Sequence, residues 1–209
     1  MNNTTEFQFI SFEGVEGSGK STQCRLLNRY LKNRGLDSIL LKDPGSTVVS
    51  KKIRKILSDK KNNITPLSEL FLFLAARREM VERIIKPSLK EGKIVIADRY
   101  TESTLAYQGS GRRLLEHLTF DMLKNLCNYA TDGIEPQIVF LLDLNPEVGL
   151  DRIRRKRNEE RIESESLEFH SRVRNGYLGL AKSDPRIVVL DAEDDPLSIS
   201  EAVKNYLKI

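Results

Sequence analysis

The sequence contains no tryptophan and only two cysteines, and aromatic residues make up just 7% of its 209 residues. Cys24 and Cys127 stand outside any Cys-x-x-Cys pair or zinc-ligand spacing, and both fall in helical patterns. We therefore expect two reduced thiols in the core. The shortage of cysteine argues against a disulfide framework and against a cysteine-based metal site.

Long apolar runs are also missing. No stretch approaches the roughly 18 apolar residues that a membrane-spanning helix needs, and residues 1–6 are polar, without the apolar core of a signal peptide. The net charge of +4 is too small to indicate a nucleic-acid coat by itself. We expect a cytoplasmic protein with no membrane partner. The length, with no repeat or linker, suits a single domain over residues 1–209.

Short β-prone runs alternate with longer helical stretches. The runs are apolar on almost every residue, as in strands buried on both faces of a parallel sheet. They cover residues 7–12, 38–41 (the weakest), 94–97, 138–142 and 187–190. The longest helical pattern covers residues 67–89, with Pro87 predicted to mark its end. This alternation predicts a three-layer α/β fold with a five-stranded parallel sheet flanked by helices.

A glycine-rich motif follows the first run directly. Residues 14–21 read G-V-E-G-S-G-K-S and match G-x-x-x-x-G-K-[ST], the phosphate-binding P-loop, between a predicted strand and a predicted helix. Glycines let consecutive backbone N–H groups converge on an anion, and the helix N-terminus adds positive potential. Lys20 can reach the β- and γ-phosphates of ATP, and the Ser21 hydroxyl can ligate Mg²⁺. The predicted ATP-binding residues here are Gly14, Val15, Glu16, Gly17, Ser18, Gly19, Lys20, Ser21 and Thr22.

Two further features narrow the type of nucleotide enzyme. Glu16 is an acid among phosphate-binding amides, so it is either an exposed loop residue or a contact to something other than phosphate. Asp98 and Arg99 follow the run 94–97, where an open parallel sheet binds ligands. Asp98 can hold Mg²⁺ through water and Arg99 can fork onto an acceptor phosphate, although a structural ion pair is the alternative. The N-K-x-D motif of GTPases is absent.

The densest positive cluster is late in the chain. Its members are Arg152, Arg154, Arg155, Lys156, Arg157 and Arg161. Such a run is often a solvated helix face or a nucleic-acid patch. The cluster lacks the interleaved aromatics of a single-strand-binding surface. With a phosphate-binding loop in the same chain, we favour a lid segment, residues 152–162 approximately, that closes over ATP and neutralises charge on the transferring phosphoryl group.

The residues resemble the thymidylate kinase family over nearly the whole chain, and the bacterial type in particular. The P-loop alone is generic, whereas D-R-Y-x-x-S-x-x-A-Y-Q-G with F-x-x-x-R upstream is specific. The matching segments are F-E-G-V-E-G-S-G-K-S-T (12–22), D-P-G-S-T (43–47), F-L-A-A-R (73–77), I-K-P (85–87), D-R-Y-T-E-S-T-L-A-Y-Q-G (98–109), L-D-L-N-P-E-V-G-L (142–150) and R-I-E (161–163). The resemblance implies a P-loop nucleoside monophosphate kinase fold, ATP and dTMP as substrates, Mg²⁺ as cofactor and a homodimer.

The resemblance also implies roles for individual residues. Phe73 would stack on thymine and Arg77 would donate to a base carbonyl; without the resemblance we would expect a core phenylalanine and a surface arginine. Glu16 would meet the 3′-hydroxyl side of the acceptor sugar. The remaining substrate-binding residues implied are Lys42, Arg99, Ser103, Thr104, Tyr107 and Gln108, with Ser21 and Asp98 at the metal. Lys20, Arg99, Arg154 and Arg161 would be catalytic, and Arg152 would bind ATP.

The sequence departs from the family pattern at Lys42 and Asp43, where Arg-Glu is usual. A lysine offers a point charge and not a bidentate fork, so its contact with the acceptor phosphate is left open. Two rival functions also stay open from the residues: a kinase of another nucleoside monophosphate, and a nucleotide-dependent switch or nucleic-acid-binding protein.

Overall fold

The β-prone runs form one sheet. A computed structural model describes residues 7–155 and 159–209, and within them five parallel strands pair in the order β2-β3-β1-β4-β5. The strands are β1 (Phe9–Glu13), β2 (Ser38–Lys42), β3 (Ile94–Asp98), β4 (Ile138–Asp143) and β5 (Ile187–Asp191). The predicted five-stranded parallel sheet is confirmed.

Each strand ends one residue later than predicted. The added residues are all charged, which is why a search for apolar runs missed them; they are Glu13, Lys42, Asp98, Asp143 and Asp191. They lie at the carboxyl edge of the sheet, where ligands bind in open α/β folds. Each predicted strand therefore lacked its last residue, the one that lies nearest to that edge.

Helices connect the strands. They are α1 (Lys20–Asn33), α2 (Val48–Ser58), α3 (Pro66–Met80), α4 (Lys86–Lys90), α5 (Thr101–Thr104), α6 (Phe120–Thr131), α7 (Pro146–Arg154), α8 (Leu167–Ser183) and α9 (Pro196–Leu207). Two π-helical segments, Val81–Ile85 and Leu105–Gly111, follow α3 and α5, and a 3₁₀ turn covers Leu114–Glu116. No helix among residues 7–155 and 159–209 is long and apolar enough to cross a membrane.

The core lies on both faces of the sheet, because alternate strand residues point to opposite sides. Ile10 and Phe12 of β1 pack on one face with α1 and α9, together with the buried thiol Cys24. Phe9 packs on the other face with the end of α3 and its π-helical extension. This gives the predicted three layers. Cys127 is buried on α6, so both cysteines are the free core thiols that we expected.

The long helical stretch is confirmed, but Pro87 does not end it, and that prediction was wrong. The chain passes from α3 through Val81–Ile85 into α4, where Pro87 lies in the first turn and its missing N–H costs little. The helix ends at Lys90, and Gly92 just beyond it has φ 75°. Gly92 N–H donates to the Leu89 carbonyl and Lys93 N–H to the Ser88 carbonyl, which is a Schellman C-terminus.

The sheet order positions the site. β1 lies between β3 and β4, so the chain leaves β1 and β3 side by side at the carboxyl edge. The loop after β1 carries the glycine-rich motif, and the turn after β3 carries Arg99 with φ 78°. The helical residues from Thr101 to Gly111 follow that turn and, apart from the half-buried Ser110, are buried against the same edge.

Candidate active site

The phosphate-binding loop packs directly on α7. Gly17 has φ 71°, and a Cβ atom there would lie 2.1 Å from the Gly149 carbonyl oxygen; a Cβ on Gly149 would lie 2.1 Å from the Glu16 carbonyl oxygen. Only glycine fits at either position. The ammonium of Lys20 lies inside the loop and donates to the carbonyls of Gly14 (3.0 Å) and Val15 (2.7 Å). Burial first, and then the nearby charge of Arg99, lower the pKa of Lys20 to about 8.

A hydroxyl and a carboxylate meet beside the loop. The Ser21 hydroxyl, in the first turn of α1, donates to a carboxylate oxygen of Asp98 at the end of β3. Both are hard oxygen ligands of the kind that Mg²⁺ takes alongside nucleotide phosphates. Among the described residues there is no group of three or more His, Cys, Asp or Glu side chains that could hold a metal. A Mg²⁺ ion at this position would therefore depend on phosphate oxygens as well.

Glu16 and Arg99 form an ion pair beside the phosphate-binding loop. Tyr107 joins them, because its hydroxyl donates to Glu16 (2.8 Å) and accepts from Arg99 (3.0 Å). Burial would raise the pKa of Glu16, but the charges of Arg99 and Lys20 lower it below its ordinary value. Glu16 is therefore an ionised hydrogen-bond acceptor and not an exposed loop acid. Together with Arg99 and Tyr107 it lines a cavity beside the loop.

A second carboxylate, which our sequence analysis did not single out, lies behind this pair. Glu13 is completely buried and accepts from the Tyr100 N–H (2.6 Å), the Ser103 hydroxyl (2.6 Å) and the Tyr177 hydroxyl (2.8 Å). Arg99 donates to the same Ser103 and Tyr177 oxygens at 3.1 Å. Glu13 thus fixes the groups that orient Arg99. The sequence signal that could have revealed Glu13 is its position at the charged end of β1.

Arg77 is buried, so the surface position that we expected without the resemblance was wrong. Its guanidinium donates to Asp43 (2.5 Å) and to the Thr104 hydroxyl (2.7 Å), and it lies over the ring of Tyr100. Burial would lower the pKa of Arg77, but the charge of Asp43 raises it. Asp43 therefore holds Arg77 in place. Phe73, one helical turn earlier, is half-buried and lines the cavity.

Glu69 is another buried acid that our sequence analysis missed. It accepts from Gln108 (2.9 Å), from Arg112 (3.0 Å) and from Arg161 (2.5 Å). Burial would raise the pKa of Glu69, but hydrogen bonds from these residues, Arg112 foremost, lower it. The signal lay in the spacing, since Glu69, Phe73 and Arg77 recur every four residues along one helical face.

The basic residues near the end of α7 are placed differently from one another. Arg152 donates to the Ala192 carbonyl (3.1 Å) and lies near the Gly17 carbonyl (3.4 Å), beside the phosphate-binding loop. Arg154 is exposed and pairs with Glu159 at 2.8 Å. Arg161 is buried, and its guanidinium also donates to the Leu57 carbonyl (2.8 Å). Lys156 and Arg157 of the predicted lid segment lie outside the described residues.

One cavity gathers the predicted substrate-binding residues, whereas only part of the predicted ATP-binding set, Glu16, Gly17, Lys20 and Ser21, lines it. Every predicted substrate-binding residue lines it, as do Lys20 and the predicted metal pair. The lining includes Glu16, Lys20, Ser21, Lys42, Phe73, Arg77, Asp98, Arg99, Ser103, Thr104, Tyr107 and Gln108. Lys42 is an exposed residue on its rim, near Arg54. The described residues that line this cavity do not include Arg152, Arg154 or Arg161.

The arrangement is that of a P-loop phosphotransferase: an α/β sheet presents a phosphate-binding loop, a hydroxyl–carboxylate pair and an arginine-lined cavity at one edge. The sequence profile of the family described as thymidylate kinase matches residues 12–203. The chain belongs to this family, and it is an ATP-dependent dTMP kinase.

Individual relatives agree. A thymidylate kinase of Kosmotoga olearia is 42% identical over 201 residues, which cover 95% of each chain. One from Carboxydothermus hydrogenoformans is 43% identical, covering 96% of this chain and 97% of that protein. The crystal structure of thymidylate kinase from Ehrlichia chaffeensis is similar with a TM-score of 0.77 and 33% identity, covering 97% of this chain and 98% of the other.

Proposed function

We propose that this cavity binds dTMP with its base against Phe73 and Arg77 and its phosphate at Arg99, facing ATP on the phosphate-binding loop. The observation that carries the proposal is the shared cavity: the residues implied for the acceptor and the loop lysine Lys20 line the same space. Donor and acceptor would therefore meet without a large movement of the sheet edge.

Base recognition would use a half-buried ring and a fixed cation. Phe73 offers an apolar face for stacking. Arg77 is held by Asp43 and Thr104, which leaves its remaining N–H groups in a defined direction for a base carbonyl. Thr104 and Gln108 complete the lining, with Ser103 close by.

Sugar and phosphate would be placed by the Glu16–Arg99–Tyr107 group. Ionised Glu16 is a suitable acceptor for a 3′-hydroxyl, and the Tyr107 ring would crowd the 2′ position and so disfavour ribonucleotides. Arg99 is oriented by Glu13 through Ser103 and Tyr177. Its Nη atoms are already engaged, with Glu16 among their acceptors, so a charge-assisted hydrogen bond to the acceptor phosphate would come from Nε–H or from an Nη–H released by Glu16. Lys42 would add a point charge at the rim.

The reaction would be a direct in-line transfer with no covalent enzyme intermediate. The acceptor is already an anionic phosphate oxygen, so no strong general base is needed, and positioning with charge neutralisation supplies the catalysis. Lys20 would hold the β- and γ-phosphates, and Ser21 and Asp98 would hold Mg²⁺, which neutralises phosphate charge when bound. Arg152 and Arg154 of the lid segment would add positive charge on the ATP side, and Arg161, which Glu69 holds in this structure, would have to leave that carboxylate to join them.

The assembly and setting are also part of the proposal. Residues 1–209 would form one kinase domain that includes the lid segment. A homodimer is supported by exposed apolar side chains on three helices: Val48 and Ile56 on α2, Leu67 and Phe71 on α3, and Phe120 and Met122 on α6. We also propose that the enzyme is soluble and works in the cytoplasm, without a nucleic-acid or membrane partner.

The test is ADP release stimulated by an acceptor, measured side by side with dTMP, dUMP, dCMP, GMP and AMP. We expect dTMP to give the highest kcat/KM. A higher value for another monophosphate would make the protein a different nucleotide kinase. Absence of dTMP-stimulated release, together with DNA or RNA binding that weakens steeply with salt, would favour the nucleic-acid alternative.

A further inference from the structure

The buried acid Glu69 shares its two carboxylate oxygens between the base side of the cavity and two arginines. Oε1 accepts from Gln108 Nε2 (2.9 Å) and Arg112 Nε (3.0 Å). Oε2 accepts from Arg112 Nη2 (3.0 Å) and Arg161 Nη2 (2.5 Å). Glu69 is 0% exposed and lies in the first turn of α3. The carboxylate therefore has a fixed position and a fixed charge.

An ionised carboxylate can only accept hydrogen bonds, and this determines which way the Gln108 amide faces. The amino end must point at Glu69, because turning the amide over would bring its carbonyl oxygen against a buried negative charge. The carbonyl oxygen of Gln108 is consequently turned away from Glu69. Since Gln108 lines the cavity, it can offer a hydrogen-bond acceptor there.

The two arginines make this orientation rigid. Arg112 also pairs with Glu165 (2.6 Å), and Arg161 also donates to the Leu57 carbonyl (2.8 Å), so both cations are anchored beyond Glu69. Two flanking cations keep the carboxylate ionised, and hydrogen bonds to both oxygens prevent its rotation. The amide of Gln108 thus has one stable orientation.

We propose that Glu69 is a positioning residue for base specificity: by holding the Gln108 amino group, it makes Gln108 present an acceptor to the bound base. An acceptor suits a pyrimidine with an N3–H donor, as in thymine and uracil, and opposes cytosine, whose N3 is itself an acceptor. This inference rests on the proposed function, because it assumes that the base occupies the Gln108 side of the cavity.

Glu69→Gln tests the proposal, because it keeps the shape of the side chain and removes its charge. The Gln108 amide can then turn over without facing a buried carboxylate. Steady-state kcat/KM is measured for dTMP, dUMP and dCMP. Loss of the Glu69 charge also disturbs Arg161 and lowers turnover of all three nucleotides alike, but we expect kcat/KM for dTMP and dUMP to fall together by about tenfold more than that for dCMP. The dTMP/dCMP ratio should thus fall about tenfold with the dTMP/dUMP ratio constant.

Glu165→Gln is the matched control, since it removes the other carboxylate of Arg112 without touching Gln108. It should leave both ratios unchanged. An equal loss for all three nucleotides in Glu69→Gln, or no change, would overturn the proposal and indicate a structural role only. If Glu69→Gln fails to fold, Glu69→Asp keeps the charge but withdraws from Gln108, and the same shift in the dTMP/dCMP ratio is required. Absence of dTMP turnover in the unmodified enzyme would instead contradict the proposed function.

Discussion

The proposed acceptor side of the cavity and the predicted lid segment both carry arginines but hold them in different environments. The side chains of Arg77 and Arg99 are 2% and 18% exposed, and each is fixed by an acid and by hydroxyl groups. The Arg154 side chain is 58% exposed, and its partners Asp151 and Glu159 are 52% and 20% exposed. Arg161, from the same predicted lid segment, belongs with the buried group, because Glu69 and the Leu57 carbonyl hold it.

This difference separates two ways of supplying positive charge to a phosphate. Buried ion pairs keep a cation aligned before the substrate arrives, so little order has to be gained on binding. Surface ion pairs contribute little stability and can be exchanged for a phosphate at small cost. The acceptor side is therefore pre-organised, whereas an exposed arginine such as Arg154 is free to follow the nucleotide.

The largest expected effect is at Lys20, inside the phosphate-binding loop. Lys20→Met removes the cation inside the phosphate-binding loop, so kcat should fall by about 10³-fold or more. Steady-state ADP release measures this, and circular dichroism checks that the variant is folded. Lys90→Met, at an exposed site on α4, is the matched control and should keep its activity. A Lys20→Met enzyme with near-normal turnover would contradict the assignment of the loop.

An intermediate effect is expected at the two lid arginines, and it tests the contrast between the exposed Arg154 and the buried Arg161. Arg154→Ala and Arg161→Ala should each lower kcat about 10- to 100-fold while weakening dTMP binding less, because their charge is needed during transfer. Arg161→Ala should also lower the free energy of unfolding by about 2 kcal/mol, since Glu69 loses a buried charged partner.

Arg154→Ala should leave the unfolding midpoint unchanged, because its ion pairs are on the surface. Kinetics and urea unfolding of both variants separate the two contributions. If kcat stays intact and only ATP affinity changes, these residues bind the nucleotide and do not act in catalysis. An equal loss of stability in both variants would remove the distinction between the exposed and the buried arginine.

The sequence predicted the sheet and the residues lining the cavity, but not the acids behind them. Strand positions follow from apolar runs, and Glu16, Phe73 and Arg77 follow from motifs. Glu13 acts on Arg99 through Ser103 and Tyr177, and Asp43 pairs with Arg77. Both acids depend on contacts between distant segments, which periodicity does not encode. Pro87 was misread for a related reason: a local rule for proline cannot see that the preceding π-helical segment lets the helix continue.

The smallest expected effect on activity concerns Glu102, a buried acid on α5 behind the acceptor side. Burial first, and then the charge of Glu13, raise the pKa of Glu102 from 4.5 to about 7, although Arg186 lies 4.0 Å away. The folded state therefore binds more protons than the unfolded state between these values. Stability contributed by the neutral acid is present at low pH and is lost as the pH rises towards 7.

Glu102→Gln keeps the shape of the side chain and cannot ionise, so it should remove this pH dependence. Relative to the unmodified enzyme, the variant should gain on the order of 2 kcal/mol in the free energy of unfolding between about pH 5 and pH 8. Urea unfolding of both proteins at these pH values measures the difference, and Glu135→Gln, at another partner of Arg186, is the control. If the difference in the free energy of unfolding between the two proteins does not change with pH, Glu102 is ionised throughout this range. The acceptor side would then tolerate a buried charge as readily as the surface near Arg154 does.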